Sequence, residues 1–278
     1  QPSYEALPDY VLSKPVVHAD ETPWPLLSKG GKKRWYAWCA AVPDAVVYRI
    51  MKGRSTAEAR KLLGGYKGVV VVDGYPAYNK LARDGPGEFV LAYCWAHVRR
   101  KFVEAEKFYP RAGAEILDLV GQLFAVERQA PALDGVEGKQ RQEALAQRHR
   151  LRQEISRPVL DQILRWSGQQ EALPQSTLRR AIKYMINLWQ GLTRFVQDPQ
   201  IPIHNNLAER EMRRPVLGRK NHYGSRSKRG TEVSALFYSL LESAQLAGME
   251  PKAYLSSAAH EAIKSPGAVI LPHQLQNK

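Results

Sequence analysis

The sequence predicts an α/β protein: a mixed five-stranded sheet flanked by helices, with a large all-helical insertion late in the chain. Three observations lead there. Residues 16–51 hold three strand-like segments separated by turn signals, as an antiparallel meander does. Gly68–Tyr78 reads Gly-Val-Val-Val-Val-Asp-Gly-Tyr-Pro-Ala-Tyr, and four consecutive β-branched residues suit a strand buried on both faces. From about residue 104 to 200 the apolar spacing is helical throughout.

Residues 1–15 are Pro-rich and form an opening helix or arm. Val16–Ala19 is a strand that ends on Asp20, and Lys29–Arg34 is a hairpin turn carrying four positive charges. Arg34–Val42 and Ala45–Met51 are the next strands, joined through Pro43-Asp44. Ser55 or Thr56 caps a helix over Ala57–Leu63, with Glu58 placed for a capping box and Gly64-Gly65 as the stop. The valine strand, Val69–Val72, stops at Asp73, where Gly74 and Pro76 break it. A short helix over Tyr78–Arg83, a loop over Asp84–Gly87 and a fifth strand, Phe89–Tyr93, follow, and Cys94–Phe102 starts a helix. That order matches a ribonuclease-H-like sheet.

In the helical stretch, Ile116, Leu117, Val120, Leu123 and Phe124 share a face, and 137–155 is a charged, exposed helix. Ser176 or Thr177 caps a helix whose apolar face runs from Ile182 to Val196. Asn206 with Glu209 three residues later opens another helix, Pro215 disfavours helix at Arg214, and 216–230 reads as a basic, glycine-punctuated loop. An amphipathic helix over Val233–Ala244 closes the fold at Gly248. The expected divisions are therefore 1–103, the first part of a sheet core; 104–200, the helical insertion; 201–256, the rest of the core; and 257–278, a C-terminal tail.

Hydrophobic content of 44% and charged content of 24% are ordinary for a globular chain of 278 residues. No run approaches the length of a membrane span, and no secretory signal opens the chain. Two cysteines, Cys39 and Cys94, argue against a disulfide scaffold and suit a reducing cytosol. The balance of 41 Lys+Arg against 27 Asp+Glu, formally +14, points to a polyanionic partner, nucleic acid above all.

Three acids stand at element ends: Asp20, Asp73 and Glu209. Carboxylates from different elements, converging on one point, can hold two divalent ions about 3.5–4 Å apart across a phosphate. Mg²⁺ suits such a site because it takes a few hard carboxylates plus water and phosphate oxygens. Two of the acids also have a plainer reading: Asp73 as a turn former and Glu209 as the cap of its own helix. Between Leu207 and Gly230 lie eight basic residues and two acidic ones. Arg210, Arg213, Arg214, Arg219, Lys220 and Arg226 are DNA-binding candidates there, as are Arg99, Arg100 and Lys101 farther upstream. Asn221-His222-Tyr223 adds polar and stacking groups. Cys94-x-x-His97 lacks a second Cys/His pair for a structural zinc site, so Cys94 is expected to pack and His97 to support the site through a hydrogen bond.

Five motifs occur in order: His18-Ala19-Asp20-Glu21-Thr22-Pro23, Asp73-Gly74-Tyr75-x-Ala77-Tyr78-Asn79, Cys94-Trp95-Ala96-His97-x-Arg99-Arg100-Lys101-Phe102, Asn205-Asn206-x-Ala208-Glu209-Arg210 and Gly218-Arg219-Lys220-Asn221. Together they resemble the catalytic domain of the insertion sequence 66 family of bacterial transposases, from about residue 14 to 256. The resemblance implies a ribonuclease-H-like fold with an Asp-Asp-Glu triad that falls on Asp20, Asp73 and Glu209, supported by His97, Asn205 and Asn206. It implies Mg²⁺ as cofactor, two ions per site with Mn²⁺ able to substitute, cutting at transposon ends and strand transfer by the freed 3′ hydroxyl. Transposon-end and target DNA are the implied partners, with a homo-oligomer assembled on DNA, no membrane, and a cytoplasmic, nucleoid-associated location.

The chain departs from the family pattern at His204, where an Asp usually precedes the paired Asn. The resemblance also implies a longer chain, with an N-terminal zinc-binding and helix-turn-helix region absent from this sequence; sequence-specific end recognition is expected to be absent with it. Two other functions stay open at this point: a metal nuclease of the same fold that does not join DNA, and a non-catalytic DNA-binding remnant.

Overall fold

The structure, a computed structural model, describes residues 1–28, 31–85 and 89–275. Lys29 and Gly30 of the expected hairpin turn, Pro86 and Gly87 of the expected loop, and the last three residues of the expected tail lie outside the described residues. In chain order the elements are α1 (Pro2–Leu12), β1 (Val16–Ser28), β2 (Gly31–Val42), β3 (Ala45–Met51), α2 (Thr56–Leu63), β4 (Val69–Val72), α3 (Pro76–Asp84) and β5 (Val90–Tyr93). Then follow α4 (Trp95–Glu106), α5 (Pro110–Gln129), α6 (Gly138–Leu151), a π-helical turn (Arg152–Ser156), α7 (Arg157–Gln169), α8 (Thr177–Asn187), α9 (Trp189–Leu192) and α10 (Arg194–Gln197). The chain closes with α11 (Asn206–His222), α12 (Lys228–Leu246), α13 (Pro251–Lys264) and a 3₁₀ turn (Pro272–Gln274). Two compact units result: Gln1–Val90 with Asn206–Lys278, and Leu91–Asn205.

The predicted α/β class with a mixed five-stranded sheet is what the chain forms. The strand order is β3-β2-β1-β4-β5. β1 and β3 run antiparallel to β2, and β4 runs parallel to β1. The valine run is the strand its composition demands, with Val70, Val71 and Val72 fully buried.

β1 corrects the sequence reading: it does not stop at Ala19 but continues through Asp20 to Ser28, paired with β2 throughout. Pro23 and Pro25 are residues that a strand interior excludes. The side of β1 that meets β4 is in use only from Val16 to His18. Odd-numbered residues direct their backbone toward that side, as the Pro15 carbonyl shows by accepting from Val69 N at 2.9 Å. Past Asp20 no strand pairs on that side, where only Ser225 bridges Leu26, so prolines at 23 and 25 remove no β1–β2 hydrogen bond.

Helices cover both faces of this unit's sheet. Cys39, Ala41, Val46 and Tyr48 pack with Ala208 and Met212 of α11 and Ala235 of α12. On the other face Trp38 meets Tyr78 of α3 edge-on, ring centroids 5.8 Å apart. α2 has its capping box at Ser55 and Glu58, as its spacing predicts.

α11 brings a second correction: it runs straight through Pro215 to His222, shortening the expected basic loop to 223–227. A proline inside a helix leaves the carbonyl four residues back without its N–H partner. Here that carbonyl is Glu211 O, and the buried Tyr48 hydroxyl donates to it at 2.8 Å. Residues expected as a tail begin inside α13, and the segment beyond is tied down where Ile270 N donates to Ser3 Oγ at 3.0 Å.

The second unit is helical beyond β5. Its interior includes a charged cluster on residues expected to lie on an exposed helix: Arg152 is fully buried and Arg148 nearly so. Glu127 of α5 takes hydrogen bonds from Arg152 Nε and Nη2 at 2.8 Å and from Arg148 Nη2 at 3.0 Å. The predicted Ser176 cap is present, but its helix ends at Asn187 and two short helices follow. Gly191 lies so close to Tyr93 that a Cβ would stand 2.4 Å from the ring.

Candidate active site

Residues directly opposite across an antiparallel pair share a face. Asp20 pairs with Cys39 and Thr22 with Ala37, on the α11 face. Glu21 pairs with Trp38, on the α3 face. The strand therefore separates two consecutive carboxylates to opposite sides of the sheet.

Asp73 is two residues beyond Val71, and Asp20 two beyond its register partner His18. Asp73 thus follows the end of β4 directly, on the strand next to β1. Glu209 arrives from the first turn of α11, whose Ala208 and Met212 fix it to the sheet. α11 starts at Asn206 itself, one residue earlier than a cap at that residue requires. Asp20, Glu21, Thr22, Glu209, Met212, Arg213, Val216 and Leu217 line a cavity of about 350 Å³.

Asp20 is the acid whose surroundings weigh most on its charge. Burial pushes the Asp20 carboxyl up to about 8, with further upward pressure from the charges of Glu21, Asp73 and Glu209. Each Asp is also oriented by its own backbone: Asp20 Oδ1 accepts from Glu21 N at 2.8 Å, and Asp73 Oδ1 accepts from Tyr75 N at 2.9 Å. The second bond is the expected turn-forming role of Asp73, and Gly74 completes that turn at φ +91°.

The basic candidates separate by what they touch. Arg213 is exposed and lines the cavity beside Glu209. Arg219 donates to Thr22 Oγ1 at 3.0 Å and to the Pro23 carbonyl. Arg210 pairs with its neighbour Glu211 at 3.0 Å, and Arg214 turns toward α12, 3.6 Å from Glu242. Lys220 and Arg226 are exposed. Arg99, Arg100 and Lys101 belong to the second unit and lie on the exposed surface of α4. His97 is in the first turn of α4, and the backbone of buried Asn205 donates to Cys94 Sγ at 3.2 Å. His204 stacks on Phe124, centroids 6.4 Å apart.

Sequence reasoning gave no role to Glu21. Its side chain is 1% exposed. The Tyr78 hydroxyl donates to Oε2 at 2.7 Å and Arg54 Nε to Oε1 at 2.8 Å. Burial holds its carboxyl above the ordinary range despite these partners. Arg54 lies 3.7 Å over the ring of Tyr75, and the Tyr75 hydroxyl donates to the Arg54 carbonyl. The signal was available: a Glu is costly in a strand interior, and period-two alternation sends it to the face opposite Asp20.

Among the described residues, no helix is long and apolar enough to cross a membrane. The family model described as Transposase IS66 family matches residues 1–233. Three curated proteins of Sinorhizobium fredii (strain NBRC 101917 / NGR234) are similar to the chain over most of its length. Uncharacterized protein y4jD is 35% identical over 274 residues, covering 92% of this chain and 52% of that protein. Uncharacterized protein y4qI is 31% identical over 275 residues, covering 91% and 49%. Uncharacterized protein y4hP is 26% identical over 281 residues, covering 92% and 49%. The chain thus spans about half the length of the curated relatives it matches.

Proposed function

The chain belongs to the IS66 family of transposases, and from that premise we propose that it is a DNA-cutting and DNA-joining core of the Asp-Asp-Glu type with a ribonuclease-H-like sheet. The observation that carries the reading is that Asp20 and Glu209 line one cavity, where burial first, and then the charges of Glu21, Asp73 and Glu209, favour the neutral form of Asp20 near pH 7. A cation among three such carboxylates would reverse that preference. Hard oxygen donors on β1, just past the end of β4 and on α11 fit Mg²⁺ or Mn²⁺.

Asp20, Asp73 and Glu209 would hold the metal, which would supply an activated hydroxyl and neutralise charge building on the phosphate. The chain's own part is orientation. Backbone N–H groups fix one oxygen of Asp20 and one of Asp73. Arg213 on the cavity wall supplies positive charge for a phosphate, and Arg210, Lys220 and Arg226 extend it along the strand. Water cuts first; the 3′ hydroxyl so freed then attacks the target strand, with no covalent protein–DNA intermediate. Assembly of several copies on DNA belongs to this proposal.

The test uses labelled DNA with pre-cleaved 3′ ends. The reading expects metal-dependent nicking and strand joining, both abolished in Asp73→Asn while DNA binding persists. Nicking without joining would identify a nuclease of the same fold. Binding with no nicking in any divalent metal would identify a non-catalytic remnant.

A further inference from the structure

Tyr223 occupies a position that folding alone does not explain. α11 ends at His222, and Tyr223 follows with φ +60°, in the left-handed region. Glycine or asparagine takes that post readily, whereas an aromatic residue there is strained. Packing does not offset the strain, because the side chain is 72% exposed.

The turn beneath it is held firmly. Ser225 N donates to the Pro25 carbonyl at 3.1 Å, and Leu27 N donates to the Ser225 carbonyl at 2.7 Å. The indole of buried Trp24 donates to Ser225 Oγ at 3.1 Å. His222 Nδ1 lies 2.9 Å from the Gly224 carbonyl. A Cβ on Gly224 would stand 2.1 Å from the Pro25 carbonyl, so the chain there has no room to shift. The ring is thus an exposed plate on a braced turn.

Its surroundings are cationic. No acid lies between Glu211 and Glu232, a span that contains Arg213, Arg214, Arg219, Lys220, Arg226, Lys228 and Arg229. Lys228 and Arg229 pair with Glu232, at 3.7 and 3.6 Å. Lys220 and Arg226 are exposed and flank Tyr223 three residues away on either side.

We infer that Tyr223 is a stacking platform for one unpaired nucleobase, with Lys220 and Arg226 on the phosphates beside it. Every base has a π-face, and flanking cations suit the backbone on either side. The inference rests on the DNA-cutting reading above and deepens it by position. Ser225 bridges Leu26, six residues along β1 from Asp20. At about 3.3 Å per residue that is roughly 20 Å. One strand of DNA advances about 3.4 Å per nucleotide. With the DNA strand laid along β1, the unpaired base would stand about six nucleotides from the phosphate at Asp20.

The test measures binding of the 278-residue chain, without divalent metal, to two duplexes. One is fully paired; the other carries an unpaired 2-aminopurine about six nucleotides from a nick. The wild type should bind the second more tightly and quench its fluorescence. Tyr223→Ala should lose roughly 5- to 150-fold of affinity for that duplex, with binding of the paired duplex unchanged. Tyr223→Phe and Tyr223→Trp should keep the preference. Tyr223→Gly should lose it while unfolding at a temperature no lower than the wild type, which separates loss of the ring from loss of the fold. Wild-type affinities in Tyr223→Ala, or equal losses on both duplexes, would overturn the inference. Nicking is scored separately with metal: nicking alongside an indifferent Tyr223→Ala sinks the stacking role alone, whereas a wild type that binds neither DNA sinks both readings.

Discussion

The Tyr78 hydroxyl donates a 2.7 Å hydrogen bond to Oε2 of Glu21, on the face of β1 turned away from Asp20. Arg54 binds the other oxygen and rests on Tyr75, whose backbone N–H in turn orients Asp73. A continuous set of contacts behind the sheet therefore links the two strand residues expected to act together. Tyr78→Phe removes one donor from a buried carboxylate and should cost about 1–3 kcal/mol, read by urea unfolding. Glu21→Gln should lower DNA nicking more than DNA binding, because it loosens Asp20 and Asp73 without touching the basic strip. Equal losses in the two assays would count against a positioning role.

Asp20 makes a stability prediction with a definite sign. Its carboxyl is pushed up to about 8 in the folded chain, against about 4 when unfolded. Between those values the folded state holds a proton that the unfolded state has released. Stability from this group is thus complete below about pH 4 and is lost as pH rises toward 8. Asp20→Asn should melt like the wild type near pH 5 and higher than the wild type at pH 9, by a gain of a few kcal/mol at most. Thermal unfolding across that range without divalent metal checks it. Equal melting temperatures at pH 9 would mean that the crowding is relieved by another route.

The sheet was legible because its strands carry composition and turns that allow little else. The valine run and the Pro43-Asp44 turn both fell where composition placed them. The long half of β1 carries Pro23 and Pro25, which break strands in a sheet interior but are harmless on an edge. That this stretch is an edge depends on where β4 stops, a tertiary fact. Pro215 misled for the same kind of reason: its helix survives through a hydroxyl 167 residues upstream. The acids at 20, 73 and 209 were visible as singletons, but the partners of Glu21 lie 33 and 57 residues away, beyond any local pattern.

In the second unit, Arg152 should be the most sensitive polar position. It is fully buried, with Nη1 donating to the Phe195 carbonyl at 2.7 Å and Nε and Nη2 donating to Glu127. Arg152→Ala would strand the Glu127 carboxylate beside Arg148 alone and should cost about 3–5 kcal/mol. Arg152→Met with Glu127→Leu removes both charges and should recover much of that loss. Urea unfolding of the single and double variants checks this; a double variant no better than the single would assign the loss to packing rather than to the stranded charge.

The Tyr48–Pro215 pair offers the sharpest test of why α11 stays continuous through its proline. Pro215 deprives the Glu211 carbonyl of its helical donor, and the Tyr48 hydroxyl takes that place at 2.8 Å. Tyr48→Phe leaves a buried carbonyl without this donor and should cost about 1–3 kcal/mol. Pro215→Ala restores the N–H and should be neutral or mildly stabilising in the wild type. If the hydroxyl serves the carbonyl that the proline orphans, Tyr48→Phe should cost about 1 kcal/mol less when Pro215→Ala is present, because the helix then supplies its own donor. The double-mutant cycle reads this coupling directly. Additive effects would show that Tyr48 contributes through its ring packing with α11 and α12, and that the helix tolerates the proline by other means.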